Sequence, residues 1–470
     1  MKINKLFVSS LLIMLLLCQT VFGATGIEEL DELTGTAIIL IERSTGRVLY
    51  ERNADQQVYP ASMIKMMTAT ILLEHMDTND IIIVGREVNE VPFGSSVAGH
   101  SVGDYITVRN VVRGLMLPSG NDTANVVAAN VARVVSGRDD LSFSEAEEIF
   151  VGLMNEKAKE LGMNSTHFTN AHGFHDPEMF TTVRDLVKIA KYATEIETIK
   201  ETVAEIEFVG TGVDIPDVQT QDIRWRNSNR LLEGEFFNPD VTGLKTGYHT
   251  PAGWCLAATG TRNGIEVVSV IADSLSVERW GDTTTMFNYV FDNFTIETIH
   301  TGSEMISEIG IANPRWGDDE LIETTGTKDF SYLFSYDELA RIDKWIVWDN
   351  ELMEEVEGEM LFTAPFVKGD ILGEVRYVLD GEVIFSDYIV ITQDVEEWSY
   401  GASLVFVVNY LRANPLSIYG LSFILGLIFL SIAVYKLVYF IIYFSNRKTK
   451  QRAYKQKPKL NTRETRSKRY

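Results

Sequence analysis

The segment "ATGIEELDELTGTAIILIERSTGRVLYERN" holds two apolar runs parted by the polar "RSTGR", a pattern that predicts a pair of β-strands. From Pro60 to Met76 the periodicity changes, with Met63, Ile64, Met67, Ile71 and Met76 recurring at helical spacing. A second helix is predicted over "TVRNVVRGLML", stopped at Pro118, and a third over "NDTANVVAANVARVV", whose Ala and Val content predicts burial. Further on, "WCLAATG" and "IEVVSVIAD" are joined through Asn263-Gly264, a strong hairpin signal. Strands at both ends of this region with helices between them predict an antiparallel sheet packed by helices, an α/β (α+β) domain.

Past residue 300 the texture changes. "APFVKGDILGEVRYVLDGEVIFSDYIVI" alternates apolar and polar positions and turns at Asp380-Gly381, so 301–397 reads as a small β-rich domain. No internal repeat is visible, and biased composition is confined to the C-terminal tail.

The two ends predict export and anchoring. Residues 1–23 carry Lys2 and Lys5, an apolar run and small residues around Gly23, the pattern of a signal peptide cut after Gly23. A lipoprotein signal at Cys18 is the rival, although Leu17 stands where a small residue is wanted. Residues 417–444 are long enough to span a bilayer, which takes roughly 20 apolar residues, and Lys436 can snorkel its amine to the headgroups. The tail 445–470 contains eleven Lys/Arg and one Glu, so it is predicted to be cytoplasmic and all that precedes the span extracytoplasmic. Residues 24–300 then form a first domain, 301–397 the β-rich one and 398–416 a juxtamembrane linker.

Charge and cysteine content narrow the function. The whole chain carries −24, and setting aside the basic ends leaves the exported part more acidic still, which excludes nucleic acid as a partner. With the signal removed only Cys255 remains, so no intrachain disulfide forms.

"PASMIKMMTA" poses a chemical problem: Lys65 lies in a stretch apolar enough to be buried, one helical turn from Ser62. Burying an ammonium costs several kcal/mol unless something compensates. Ser119-Gly120-Asn121 and Lys245-Thr246-Gly247 follow, with 57 and 126 residues between the first members of successive motifs. Singly these are weak signals: S-x-x-K is also a helix start with a surface lysine, S-G-N-D a helix cap, and K-T-G a turn. Together and in this order they fit one mechanism. A lysine acts as a base only when neutral, and burial or a second cation lowers its pKa enough. Lys245 can supply that cation, and Ser62 stands at a helix N-terminus.

S-x-x-K, S-D-N and K-T-G form the signature of class A β-lactamases and penicillin-binding proteins. With "GLMLPSGNDTANVVA", "NAHGFHDPEMFTTVRDL" and "VTGLKTGYHTPAGWC", the chain resembles the D-alanyl-D-alanine carboxypeptidases, low-molecular-mass penicillin-binding proteins of the serine-peptidase type, from about residue 30 to 297. The resemblance implies a penicillin-binding/β-lactamase-like serine transpeptidase domain, no cofactor and no metal. It also implies as substrate a peptidoglycan stem pentapeptide ending in D-Ala-D-Ala, and β-lactams as ligands. Carried over by position, Ser62 is the nucleophile, Lys65 its base, and Ser119 the relay to the leaving amine. Asn121, Lys245, Thr246, Gly247 and Tyr248 bind substrate, the backbone N–H groups of Ser62 and Tyr248 forming the oxyanion hole. Arg279 matches an arginine that holds the terminal carboxylate, with Arg262 and a solvated surface role as alternatives.

Two positions depart from the family pattern: His249 stands where a threonine is usual, and Ile64 where a threonine often precedes the motif lysine. The first puts one hydroxyl contact in doubt and introduces a titratable ring; the second reads as packing. His172 and His175 in "AHGFHD" lack further ligands at metal spacing and read as a loop bordering the cleft, Cys255 as core, and Trp398 as an interface anchor. A β-lactamase would need a deacylating glutamate, and no E-x-x-x-N with the leucine expected before its asparagine follows Ser119. A DD-endopeptidase shares the chemistry, and a decayed wall-binding scaffold is the non-enzymatic alternative.

Overall fold

The computed structural model describes residues 28–213, 222–314, 319–397 and 426–441. The expected signal peptide, the juxtamembrane stretch with Trp398, and the basic tail lie outside the described residues. Of the expected span, residues 426–441 are described and are helical. Among the described residues no helix is long and apolar enough to cross a membrane. Two compact units result, one of Met1–Gly302, Lys328–Trp345 and Arg376–Ser386, the other of Ser303–Thr327, Ile346–Val375 and Asp387–Tyr470.

The first unit is built on a five-stranded antiparallel sheet of β1 (Ala37–Glu42), β2 (Val48–Arg52), β3 (Val241–His249), β4 (Gly253–Arg262) and β5 (Ile265–Ser274), in the order β2-β1-β5-β4-β3. The run "AIILI" of β1 is apolar throughout because both faces of the sheet are covered. Ala37, Ile39 and Ile41 join one core cluster, Ile38 and Leu40 the other. Each such side chain, fully buried, contributes roughly 1.5–3 kcal/mol. The β4–β5 hairpin turns at Asn263 and Gly264, both at positive φ (54° and 82°), the pairing a two-residue turn requires.

Helices α1 (Lys65–His75), α2 (Val108–Met116), α3 (Asn121–Ser136), α4 (Phe143–Glu160), α5 (Val183–Ala193) and α6 (Glu197–Ala204) precede β3, and α7 (Glu278–Asn293) follows β5. Their starts are written in the sequence: Thr107 and Thr182 cap α2 and α5 through Asn110 and Asp185 N–H, and Ser142 with Glu145 forms a capping box on α4. The larger core includes residues of α1 to α6 and one face of the sheet; α7 packs with Trp280, Met286, Phe287 and Val290 among residues of the other face. α1 exceeds its sequence pattern, since every residue from Lys65 to Leu72 is buried rather than one face. The hydroxyls of Thr68 and Thr70 accommodate this by donating to the Ala171 and Met66 carbonyls at 2.6 and 2.8 Å.

After α7 the strand Phe294–His300 pairs antiparallel with Phe330–Ser335. Arg47, just before β2, fastens this ribbon through the Leu333 carbonyl and the Glu338 carboxylate, both at 2.5 Å. In the second unit, Met305–Ala312 pairs antiparallel with Leu321–Thr325 and parallel with Glu359–Thr363, around a core that includes Ile309, Ile311, Ile322, Phe362 and Leu372.

Candidate active site

Pro60 leads into a single 3₁₀ turn, Ala61–Ile64, that runs directly into α1, with Ser62 on the turn and Lys65 as the first α-helical residue. Lys65 is fully buried. Its Nζ lies 2.8 Å from Ser62 Oγ, 2.7 Å from Asn121 Oδ1 and 2.7 Å from the His172 carbonyl. The last two atoms only accept, so Lys65 donates to both. Its third direction faces Ser62, where an ammonium donates and a neutral amine accepts the hydroxyl proton. Burial is the largest cause holding Lys65 well below the usual lysine range; the charge of Lys245 acts in the same direction and that of Asp122 opposes it.

The second motif forms the corner that opens α3. Ser119 is nearly buried and holds φ +64°, and Asn121, the first helical residue, donates from Nδ2 to Ser95 Oγ at 3.0 Å. The third motif lies on edge strand β3. Lys245 is fully buried and burial pushes its pKa down to about 7; its Nζ donates to the Thr246 carbonyl at 3.1 Å. Thr246 Oγ1 pairs with Ser228 Oγ at 2.8 Å. A Cβ on Gly247 would stand 3.2 Å from Ala61 Cβ and 3.3 Å from Ser62 N, so glycine lets β3 pass against the turn that carries Ser62. Tyr248 is half exposed and stacks on Trp254 with centroids 4.0 Å apart.

Backbone strain gathers at these motifs. Most non-glycine residues at positive φ are Asn or Asp; of the four that are not, Glu357 (+54°) lies far along the chain, and the other three are Ala61 (+46°), Ser119 (+64°) and Leu244 (+129°). Each of these three either belongs to a motif or immediately precedes one, and each such conformation costs on the order of 1–3 kcal/mol. The close packing around the site holds them in place.

The two arginine candidates separate. Arg262 is committed to Asp240 at 2.6 Å, Asp292 at 2.7 Å and Asn288 at 2.9 Å, which makes it a tie within the fold. Arg279 is buried rather than solvated. Its guanidinium lies 4.4 Å from the Trp254 ring centre and 4.1 Å from that of Trp280, donates to the Ser276 carbonyl, and leaves Nε buried without a partner. Burial lowers its pKa to about 10, so it stays charged at neutral pH.

His249 accepts the Ala252 N–H at Nδ1 (3.1 Å), which leaves the proton of the neutral ring on Nε2. Burial, then the neighbouring His175 ring with centroids 5.1 Å apart, pushes its pKa down to about 4. At neutral pH His249 is therefore an uncharged N–H donor. Ile64 is fully buried, as packing requires, and so is Cys255, whose thiol burial pushes up to about 11. Among the described residues no group of three or more His, Cys, Asp or Glu is placed to hold a metal ion.

Sequence reasoning placed the "AHGFHD" loop at the border of the cleft but missed its contact with Lys65. Its contribution is the His172 carbonyl on Lys65, and the signal for it is Gly173. That residue has φ +81°, and a Cβ there would fall 2.1 Å from the Ala61 carbonyl oxygen, beside Ser62. Gly173→Ala is expected to cost about 2 kcal/mol or more of stability and to slow acylation; a denaturant midpoint and an acylation rate check it. An unchanged midpoint would show that the loop yields without cost.

Residues 24–276 match the family model described as D-alanyl-D-alanine carboxypeptidase. The chain is 28% identical over 365 residues to D-alanyl-D-alanine carboxypeptidase DacF of Bacillus subtilis, covering 76% of this chain and 85% of that protein. It is 31% identical over 284 residues to a D-alanyl-D-alanine carboxypeptidase of Streptomyces sp. K15, covering 59% of this chain and 94% of that protein. Among solved structures, penicillin binding protein 5 from Haemophilus influenzae shares the fold, with a TM-score of 0.55 at 24% identity over 80% of this chain and 100% of that one. The chain belongs to the D-alanyl-D-alanine carboxypeptidase family.

Proposed function

We propose that the protein removes the terminal D-alanine from peptidoglycan stem peptides through an acyl-enzyme on Ser62. The observation that carries this is the fully buried Lys65 amine, its pKa lowered by burial, 2.8 Å from Ser62 Oγ. Ser62 Oγ attacks the carbonyl carbon between the two D-alanines while its proton passes to Lys65 Nζ. The oxyanion forms against the N–H groups of Ser62 and Tyr248, a contribution of about 3 to 4 kcal/mol in comparable sites. Ser119 relays the proton to the leaving amine, the C–N bond breaks, and D-alanine departs. Water then hydrolyses the ester and Ser62 regains its proton. Asn121 holds Lys65 and the substrate amide, Thr246 and Gly247 form the strand edge on which the peptide lies, and Arg279 takes the terminal carboxylate. The same serine takes up β-lactams.

The test is fluorescent-penicillin labelling of the full-length chain in detergent, peptide mapping of the label, and D-alanine release from a D-Ala-D-Ala pentapeptide. Label on Ser62 with release is expected. Label with release only from cross-linked dimers would instead favour the DD-endopeptidase, whose chemistry is the same. A β-lactamase is disfavoured because the carboxylate acting on Lys65 is Asp122, whose oxygens are occupied by backbone amides. The hydrogen-bonded contact of Ser62, Lys65 and Asn121 disfavours the scaffold.

The pH dependence has a defined sign. Lys65 must be neutral, so acylation rises as pH climbs through its depressed pKa. Lys245 must be charged, so acylation falls as pH passes about 7, where that amine deprotonates. A bell is expected, its limbs belonging to the coupled pair; second-order rates of penicillin acylation from pH 4 to 10 measure it. A rate still rising at pH 9 would remove the charged-Lys245 requirement.

For location, the reading is an extracytoplasmic enzyme held by residues 417–444, with 445–470 on the cytoplasmic side. Support comes from the uncharged run 417–435 and the basic tail.

A further inference from the structure

Asp122 follows the Ser119-Gly120-Asn121 corner and is the second residue of α3. It is 2% exposed, and a buried carboxylate costs several kcal/mol unless its oxygens are satisfied. Backbone amides satisfy them. Ala98 N–H donates to Oδ1 at 2.8 Å, Gly99 and His100 N–H to Oδ2 at 2.8 and 3.3 Å, and Thr123 N–H to Oδ1 at 2.9 Å. Three of these donors come from one loop more than twenty residues earlier in the chain.

That loop holds the motif residues directly. Ser95 Oγ accepts from Asn121 Nδ2 at 3.0 Å, the Ser96 carbonyl accepts the Asn121 N–H at 2.8 Å, and Ser96 Oγ donates to the Ser119 carbonyl at 2.7 Å. Trp225 Nε1 donates to the Ala98 carbonyl at 2.8 Å and fixes the loop from another side. The corner has no slack: a Cβ on Gly120 would stand 2.7 Å from Asp122 Oδ1 and 2.9 Å from Ala98 Cβ. Ser119, at φ +64°, needs such outside support to keep its conformation.

We propose that Asp122 is a positioning residue for acylation, acting by clamping the Ser95–His100 loop so that Ser119 keeps its backbone conformation and Asn121 is held against Lys65. This rests on the reading of Ser62 as the acylated residue. A second effect follows from the same place in the fold. The charged or titratable groups facing Lys65 are Lys245 on β3, Asp122 on α3 and His172 on the loop before α5. Burial pushes His172 down to about 3, so it is neutral and contributes no charge at working pH. Asp122 is therefore the anion that offsets Lys245 at Lys65. Removing its charge disfavours the Lys65 ammonium, the amine becomes neutral at lower pH, and the acidic limb of acylation moves down.

The test uses Asp122→Asn and Ser96→Ala in the full-length chain, with penicillin acylation rates across pH and amide hydrogen exchange over residues 95–103. Asp122→Asn is expected to slow acylation on the order of 10- to 100-fold at the optimum, to shift the acidic limb to lower pH, and to speed exchange in the loop. Ser96 is exposed, so Ser96→Ala tests the clamp without touching the buried charge. It is expected to slow acylation less and leave the limb in place. If Asp122→Asn fails to fold, Ser96→Ala decides: a rate and loop exchange identical to wild type overturn the clamp. An Asp122→Asn protein with wild-type rate and limb overturns the proposal outright, as does a slower one with the limb and loop exchange unmoved. Failure of the wild type to label at Ser62 is a separate outcome, which removes the functional reading on which the proposal stands.

Discussion

Ser62→Ala is expected to give a folded protein that takes up no penicillin and releases no D-alanine, a loss on the order of 10⁴-fold or more in activity. The substitution removes one oxygen and leaves the rest of the constellation assembled. Lys65 keeps Asn121 Oδ1 at 2.7 Å and the His172 carbonyl at 2.7 Å, so the buried amine is not orphaned. The stability cost is that of one lost hydrogen bond, about 1 kcal/mol, partly offset by the better helix propensity of alanine. Neither Cys255, buried with its thiol pushed up to about 11, nor the Thr246 hydroxyl, engaged with Ser228, is suited to replace the nucleophile. Thermal melting separates the outcomes. An unchanged transition with no label supports the assignment, whereas label retained on another residue would end it.

How far the sequence carried the structure can be traced through particular residues. The sheet, the hairpin at Asn263-Gly264 and the helix over "TVRNVVRGLML" were legible because each rests on a local rule: apolar runs, turn chemistry or helical spacing with a proline stop. The nearness of Ser62 and Lys65 was legible from their spacing on one turn, and their meeting with Asn121 only from the order of the motifs and the resemblance. Side chains 56 residues apart in sequence meet at 2.7 Å here, and no periodicity encodes that. What stayed hidden was backbone chemistry. The His172 carbonyl on Lys65 and the Ala98, Gly99 and His100 amides on Asp122 involve atoms every residue carries, so residue type gives no sign of them. Gly173 was the one visible trace, since its positive φ and contact with Ala61 exclude a side chain. Arg279 shows the opposite case: its type and position raised it as a candidate beside Arg262, and only the burial of one and the acidic partners of the other separated them.

Lys65→Met is expected to cut acylation by about 10²- to 10⁴-fold, the range a positioned general base supplies, while changing stability little. The two parts have separate causes. Methionine fills nearly the same volume along the same helix face, so no cavity opens in a core where each neighbour of Lys65 on α1 is buried. It cannot donate, which leaves Asn121 Oδ1 and the His172 carbonyl each short of a bond, at about 1–3 kcal/mol apiece. Against this, the wild type keeps an amine in a dry site beside a second lysine, which holds it well below its ordinary pKa. That depression is itself destabilising: between the lowered folded pKa and the ordinary unfolded value the unfolded chain binds more protons than the folded one, so folding releases a proton over that range. Methionine removes this cost, and the two contributions oppose each other. The linkage supplies a check that activity alone does not. In the wild type the Lys65 contribution to stability rises with pH between its depressed folded pKa and its ordinary value. In Lys65→Met that part of the slope is absent. Denaturant midpoints for both proteins at pH 6 and pH 9 measure the difference. A flatter dependence in the variant, together with the lost acylation, identifies a buried, neutralised base. Identical slopes with acylation lost would mean Lys65 is charged in the folded enzyme, and the proton of Ser62 must then go elsewhere.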